Sequence, residues 1–308
     1  MKHIITVTMN PCFDVTLWTD GLDPDAANRV LSETRDIGGK GINVSRVVKA
    51  CGLDSLCLAV TGEEDSREFA AFLEPKELRY ELLKVEGNVR ENITVRYADQ
   101  TVKLNRKGPF MTALMIGALM ALIQNRMHPG DIVVFAGSLP ENVKAQDYLE
   151  LMMAVKKAGG LVAVDNETLT FEDYCRLSPW LMKPNFHELH KIMGVEESFE
   201  SVFSAAKKLQ HGGVENVLVS LGKEGLLLVS GDEILRATVP TVAVKSTAGA
   251  GDSALAGFLT GTVRNQPPED CIRLAAACGT ATVMMEAPAL AEKGQIQELL
   301  GQIKVEHL

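Results

Sequence analysis

Aromatic residues make up only 5% of this 308-residue chain, and its cysteines form no CxxC pair. Each shortage removes a class of protein. Six cysteines, at 12, 51, 57, 175, 271 and 278, are too sparse for a disulfide scaffold, so buried, reduced thiols in a cytoplasmic protein are expected. The longest apolar stretch, 111–123, falls short of the roughly 20 residues needed to cross a bilayer. The apolar part of residues 1–11 is too short for a signal peptide. Positive charge is in deficit too. Thirty-one basic against 40 acidic residues leave a net charge of −9, which argues against nucleic acid or an acidic membrane as partner. The chain also lacks internal repeats, low-complexity tracts and interdomain linkers.

What is present is an apolar content of 46%, enough for a large core, and 26 glycines, which suit an α/β chain with many tight turns. Strand-like apolar runs at 3–9, 55–60, 131–136, 161–165, 180–183, 214–220 and 225–230 alternate with helical patterns at 42–51, 66–73, 111–126, 143–158, 185–193 and 201–211. Strands buried on both faces and joined by helices predict a mostly parallel sheet with helices on both sides. Ligands on such sheets sit beyond the carboxyl ends of the strands. The turns after Met9, Ala136, Lys183 and Ser220 fall on that edge. Two regions break the alternation, residues 12–36, with strand-like parts at 12–18 and 28–36, and residues 90–105. They read as ordinary hairpins or as one small separate sheet.

Glycine turns carry the candidate chemistry. In Ser246-Thr247-Ala248-Gly249-Ala250-Gly251-Asp252-Ser253, small residues open an apolar helix whose unpaired N–H groups and positive dipole end suit a phosphate. A carboxylate beside a phosphate weakens ground-state binding unless it has chemistry to do, and the obvious chemistry is taking a proton from an attacking hydroxyl. A tight strand-to-helix turn capped by Asp252 would look the same. Residues 38–48, GGKGINVSRVV, form a second glycine turn feeding a helix, and Asp14 follows the first strand. Two glycine-rich helix starts and two isolated aspartates point to two anionic ligands.

TMNPCFD (8–14), GGKGINVSRVV (38–48), RENITV (90–95), FAGSLP (135–140), KPNFHEL (183–189), SLGKEG (220–225) and STAGAGDS (246–253) follow one another in a single register across nearly the whole chain. In these motifs the chain resembles the sugar kinases of the ribokinase family, in the phosphofructokinase B group. The lysine in GGKG resembles the 1-phosphofructokinase and tagatose-6-phosphate kinase branches more than the 6-phosphofructokinase branch. The resemblance implies one α/β domain over 1–308, a ribokinase-like three-layer sandwich with a mostly parallel central sheet. It turns the segments 12–36 and 90–105 into a β-sheet lid that also pairs two subunits as a homodimer.

It implies ATP and Mg²⁺ as cofactors and a small sugar phosphate as the other partner, most simply fructose 1-phosphate. Tagatose 6-phosphate, fructose 6-phosphate and an inactive sugar-phosphate sensor are the alternatives. Asp252 is then the base, and the amides of Gly249, Ala250 and Gly251 are the anion hole. Asp14, Gly39 and Asn43 are expected at the sugar hydroxyls. Arg90 clamps the phosphate already on the substrate, helped by Lys40, Arg29 and Ser138. Lys183, Asn185, Ser220, Gly222 and Gly225 are expected around the nucleotide, with Asn185 and Glu188 organising Mg²⁺ indirectly. No GxxxxGK[ST] loop and no HRD and DFG pair occurs, which excludes two other phosphoryl-transfer designs. His187 and His190 flank Glu188 without making HExxH, so no zinc site is expected there. Two departures from the pattern bear on nucleotide affinity and donor choice. Residues 285–290 carry no glycine, and Asp165-Asn166-Glu167-Thr168 replaces the commoner Asp-Thr-Ser-Gly.

Overall fold

The computed structural model describes residues 2–308. In chain order the first half runs β1 (Ile4–Thr8), β2 (Cys12–Thr19), β3 (Val30–Gly38), α1 (Lys40–Ala50), β4 (Leu56–Gly62), α2 (Ser66–Leu73), β5 (Arg79–Val85), β6 (Arg90–Tyr97), β7 (Gln100–Asn105), α3 (Ala113–Arg126), β8 (Ile132–Ala136) and α4 (Ala145–Lys157). The second half continues β9 (Leu161–Asp165), α5 (Phe171–Leu177), β10 (Leu181–Met182), α6 (Phe186–Met193), α7 (Phe199–His211), β11 (Asn216–Ser220), β12 (Leu226–Ser230), β13 (Glu233–Thr238), α8 (Ala250–Val263), α9 (Pro268–Val283), α10 (Lys293–Leu300) and β14 (Lys304–His307).

Ten strands form the main sheet in the order β14-β13-β12-β11-β10-β9-β8-β1-β4-β5. From β11 through β5 every pairing is parallel, because each strand returns through a connection that crosses the sheet. The strands β1 and β8 show why their apolar runs are continuous. Ile5, Val7, Val133 and Phe135 point into one core with α3 to α7, while Ile4, Ile132, Val134 and Ala136 point into another with α1, α8, α9 and α10. The result is three layers, as expected. Capping fixes several helix starts at this edge and elsewhere. Thr112, Thr170, Asn185 and Ser198 each accept a hydrogen bond from a backbone N–H in the first turn of the following helix.

From β11 to β14 the pairing turns antiparallel. Only residues 221–225 separate β11 from β12, too few for a crossover. Gly225 makes the turn possible: its φ is +95°, and the Ala237 carbonyl occupies the place a Cβ would take.

The smaller sheet has the order β3-β2-β6-β7. Residues 12–19, 30–38 and 90–105 therefore assemble into one separate sheet rather than two unrelated hairpins. Its inner side rests on a third core, where Phe13, Ile37 and Ile42 meet Phe69 and Leu73 of α2. Its outer strands are open to solvent. Among the described residues no helix is long and apolar enough to cross a membrane.

Candidate active site

The carboxyl ends of the parallel strands carry the site, as the sheet topology requires. Gly249 is the N-cap of α8 and adopts φ +77°, a left-handed conformation that lets the chain turn into the helix; a side chain there would strike Leu290. Asp252 follows at the third helical position. It is not a cap: its Oδ2 accepts a hydrogen bond from the Asn43 side chain at 2.8 Å. Gly251 lies against the Lys183 ammonium, which a Cβ would approach to 3.2 Å. The Ala250 N–H reaches the Thr247 carbonyl only at 3.4 Å, so the amides of this turn remain weakly engaged.

A cavity of about 900 Å³ opens at this turn. Gly249, Ala250, Gly251 and Asp252 form one wall, Lys183, Asn185, Ser220, Gly222 and Gly225 another, and Lys40 and Asp165 part of its floor. Every residue expected at the nucleotide is therefore at one cavity. Val242, Val244, Ala275 and Ala276 make the far wall apolar, and the buried Ser220 hydroxyl has no hydrogen-bond partner among the described residues.

Asp165, the one residue of Asp165-Asn166-Glu167-Thr168 that keeps the pattern, was not among the expected site residues, yet it lines the cavity. Fully buried at the end of β9, it receives the Lys40 ammonium on Oδ1 at 2.9 Å and holds the Lys183 ammonium 3.3 Å from Oδ2. Burial would push its carboxyl up, but Lys183 and Lys40 outweigh burial and hold it below the usual range. Asp252 behaves in the opposite way. Burial, with the negative charge of Asp165 next in weight, pushes it up to about 6 despite the Asn43 hydrogen bond and the two lysines. A carboxylate poised there is charged at neutral pH yet basic enough to take a proton.

Lys40 was expected beside the sugar's phosphate. Instead its ammonium points at Asp165 and lies 3.6 Å from Glu188 Oε1, on the cavity side. Asn185 and Glu188 cap α6 reciprocally: Glu188 Oε2 accepts the Asn185 N–H and Asn185 Oδ1 accepts the Glu188 N–H, each at 2.9 Å. Of their three side-chain oxygens, Glu188 Oε1, with the Lys40 ammonium 3.6 Å away, is the least engaged.

On the other side of Asp252, α1 leads to the lid. Gly39 is the N-cap of α1 and Asn43 sits one turn in. Asp14 lies on β2 against Gly38, and its Oδ1 accepts the Asn92 side-chain amide at 3.0 Å. Arg90 opens β6 and donates from Nε to the Asn10 carbonyl at 3.3 Å, while Asn10 Nδ2 donates to Ser138 Oγ at 3.2 Å. Asn10 thus joins Arg90 and Ser138 into one group. Neither Asn10 nor Asn92 was expected, and Oδ1 of each is buried without a hydrogen-bond partner among the described residues. Arg29 stands apart: it is exposed just before β3, and among the described residues no hydrogen bond or ion pair ties it to this group.

The comparison with known families agrees with the fold and the motifs. Residues 6–291 match the pfkB family carbohydrate kinases. The chain belongs to that family. Over 306 residues it is 33% identical to the 1-phosphofructokinase of Bacillus subtilis (strain 168), covering 99% of this chain and all of that one. Over 306 residues it is 25% identical to a tagatose-6-phosphate kinase of Staphylococcus epidermidis, covering 98% and 99%. A crystal structure of phosphofructokinase-2 from Escherichia coli superposes with a TM-score of 0.90 at 25% identity, covering 98% of this chain and 99% of that one. The kinase thus has the family and the sandwich architecture that its motifs implied.

Proposed function

We propose that the kinase transfers the γ-phosphoryl group of ATP to a free hydroxyl of a ketohexose phosphate, with fructose 1-phosphate the preferred acceptor and fructose 1,6-bisphosphate the product. The carrying observation is Asp252, buried, raised to about 6, and placed between the cavity and the lid side by its bond to Asn43. ATP lies in the 900 Å³ cavity, adenine against its apolar wall and the phosphates toward Gly249, Ala250, Gly251 and Lys183. The sugar lies between α1 and the lid, its hydroxyls on Asp14, Gly39 and Asn43, its phosphate on Arg90 with Ser138 and Asn10 adjacent. Arg29 and Lys40, expected near that phosphate, are not part of this group.

As the sugar oxygen attacks the γ-phosphorus, its proton passes to Asp252 Oδ, and the bond to the ADP oxygen breaks. A positioned base of this kind contributes about 10²- to 10⁴-fold. The turn's amides and Lys183 take up charge on the transferring group. Asn185 and Glu188 suit Mg²⁺ held through its waters, since Asn185 Oδ1 and Glu188 Oε2 each already accept one backbone N–H and Glu188 Oε1 lies on the cavity side, 3.6 Å from the Lys40 ammonium. When bound, Mg²⁺ neutralises charge on the phosphates. Two copies of the kinase pair through the lid, whose open outer strands carry Val30, Leu31 and Leu104 exposed.

Support for the 1-phosphate comes from the 33% relative, while the lysine in GGKG favours the 1-phosphofructokinase and tagatose-6-phosphate kinase branches over the 6-phosphofructokinase branch. Turnover with ATP and Mg²⁺ on fructose 1-phosphate, fructose 6-phosphate, tagatose 6-phosphate and free fructose tests the reading. Fructose 1-phosphate should show the highest kcat/KM. A higher value for either 6-phosphate moves the assignment to that branch, and binding of ATP without turnover on any sugar ends it in favour of a sensor.

A further inference from the structure

At the amino edge of the main sheet, away from the cavity, two imidazoles and a carboxylate meet. The ligand atoms of His3, His128 and Asp131 all lie within 4.8 Å of one another, and among the described residues no other three such donors converge. The strand ends bring this about. β1 starts at Ile4 and β8 at Ile132, and these two residues are paired, so positions 3 and 131 are neighbours. The turn entering β8 carries His128 to the same corner, closed by the Asp131 N–H on the His128 carbonyl. Asp131 then holds both histidines by their backbones. Its Oδ1 accepts the His3 N–H and its Oδ2 the His128 N–H, each at 2.8 Å.

We propose that His3, His128 and Asp131 form a binding site for a divalent transition-metal ion of the zinc class. Nδ1 of His3 lies 3.5 Å from Asp131 Oδ1, and Nδ1 of His128 lies 3.5 Å from Oδ2. That is too long for a good N–H···O bond, which spans about 2.7–3.2 Å. It matches the separation of neighbouring donors around a tetrahedral ion with bonds of about 2.0–2.2 Å, roughly 3.3–3.6 Å. The two imidazole donors select the zinc class over magnesium. Each carboxylate oxygen has given one lone pair to an amide and keeps another. The imidazoles are 65% and 78% exposed while the carboxylate is 4% exposed, so an ion enters from solvent onto a fixed anion.

The site stands a strand's length, on the order of 16 Å for five residues, from the catalytic edge. It is therefore independent of phosphoryl transfer. Its consequence is mechanical: a bound ion ties the first strand to the turn before β8 and stabilises the folded chain by mass action.

Calorimetric titration of the chelator-stripped full chain with ZnCl₂, without nucleotide, should show one saturable equivalent. His3→Asn and His128→Asn should each weaken it at least tenfold, and Co²⁺ should give visible d–d bands that either substitution abolishes. Saturating Zn²⁺ should raise the melting temperature of the wild type but not of the double variant H3N/H128N. Asp131 is left intact because it holds both strand ends. No saturable binding, or binding that survives both substitutions, as binding on the free thiols would, overturns the proposal.

Discussion

The cavity side of the site is walled by β11, β12, α8 and α9, elements packed on the main sheet, whereas the sugar side is built from α1, β2 and β6 at the junction with the lid. On the cavity side the working groups are glycines, backbone amides and two lysines locked on a fully buried aspartate. On the sugar side they are half-buried side chains bonded to amides: Asp14 to Asn92, Arg90 to Asn10. A triphosphate offers the same chemistry whatever the acceptor, and rigid backbone reads it. Sugars differ by single hydroxyls and by which end carries the phosphate, and side chains on a separate sheet can change without disturbing the main core. Asn43 and Asp252 join the two sides through one hydrogen bond, at the place where the proposed mechanism takes the sugar's proton.

If chemistry is concentrated at that junction, Asp252→Asn should have the largest effect. We expect kcat to fall about 10²- to 10⁴-fold while ATP binding persists. The same substitution should stabilise the fold above pH 6. A folded-state value raised from 3.8 to about 6 means that Asp252 contributes stability below pH 4, and that this contribution is lost as pH rises through 6. Removing the charge recovers on the order of 2–3 kcal/mol at pH 7, readable by urea unfolding. A variant both active and unchanged in stability would refute the base assignment.

Next in size is Asp165→Ala, which strands a buried Lys183 and should cost about 3–5 kcal/mol of stability. Arg90→Ala acts on the other side alone. Loss of charge-assisted bonds worth about 1.5–3 kcal/mol should raise KM for the phosphorylated sugar about 10- to 100-fold with KM for ATP little changed. Equal changes in both would place the clamp elsewhere. Leu31→Lys, on the outer lid strand, should shift sedimentation toward monomer while leaving the cavity intact; an unchanged sedimentation profile would remove the lid as the pairing surface.

Much of the cavity side was legible in sequence because it rests on local signals. Glycine turns, the Asn185 cap and continuous apolar strands declare themselves within ten residues. The strand β5 was missed because RYELLKV mixes polar and apolar residues and lies largely half-buried at the sheet's edge, and α9 because small residues, Ala275, Ala276, Ala277, Cys278 and Ala281, supply much of its buried face beside Ile272 and Leu274. Asp165, Asn10 and Asn92 escaped for another reason. Their roles depend on partners far along the chain: Lys40 lies 125 residues from Asp165, Asn10 is 80 from Arg90, and Asn92 is 78 from Asp14. The motif position of Lys40 likewise does not reveal the carboxylate its ammonium faces.

The smallest effect is the most specific to the junction. In the free enzyme Asp252 must be unprotonated to act, so kcat/KM should fall as pH drops below about 6. Two neighbours should move that limb in opposite directions. Asp165 raises the Asp252 carboxyl by like charge, so Asp165→Asn should shift the limb to lower pH. Asn43 lowers it by donating to the carboxylate, so Asn43→Ala should shift the limb to higher pH, whatever it does to sugar binding. Both substitutions should reduce activity, and a drop in amplitude alone would not distinguish the cavity side from the sugar side. Displacements of opposite sign can arise only if one carboxylate feels both, and limbs that move together would mean that the titrating base is not Asp252.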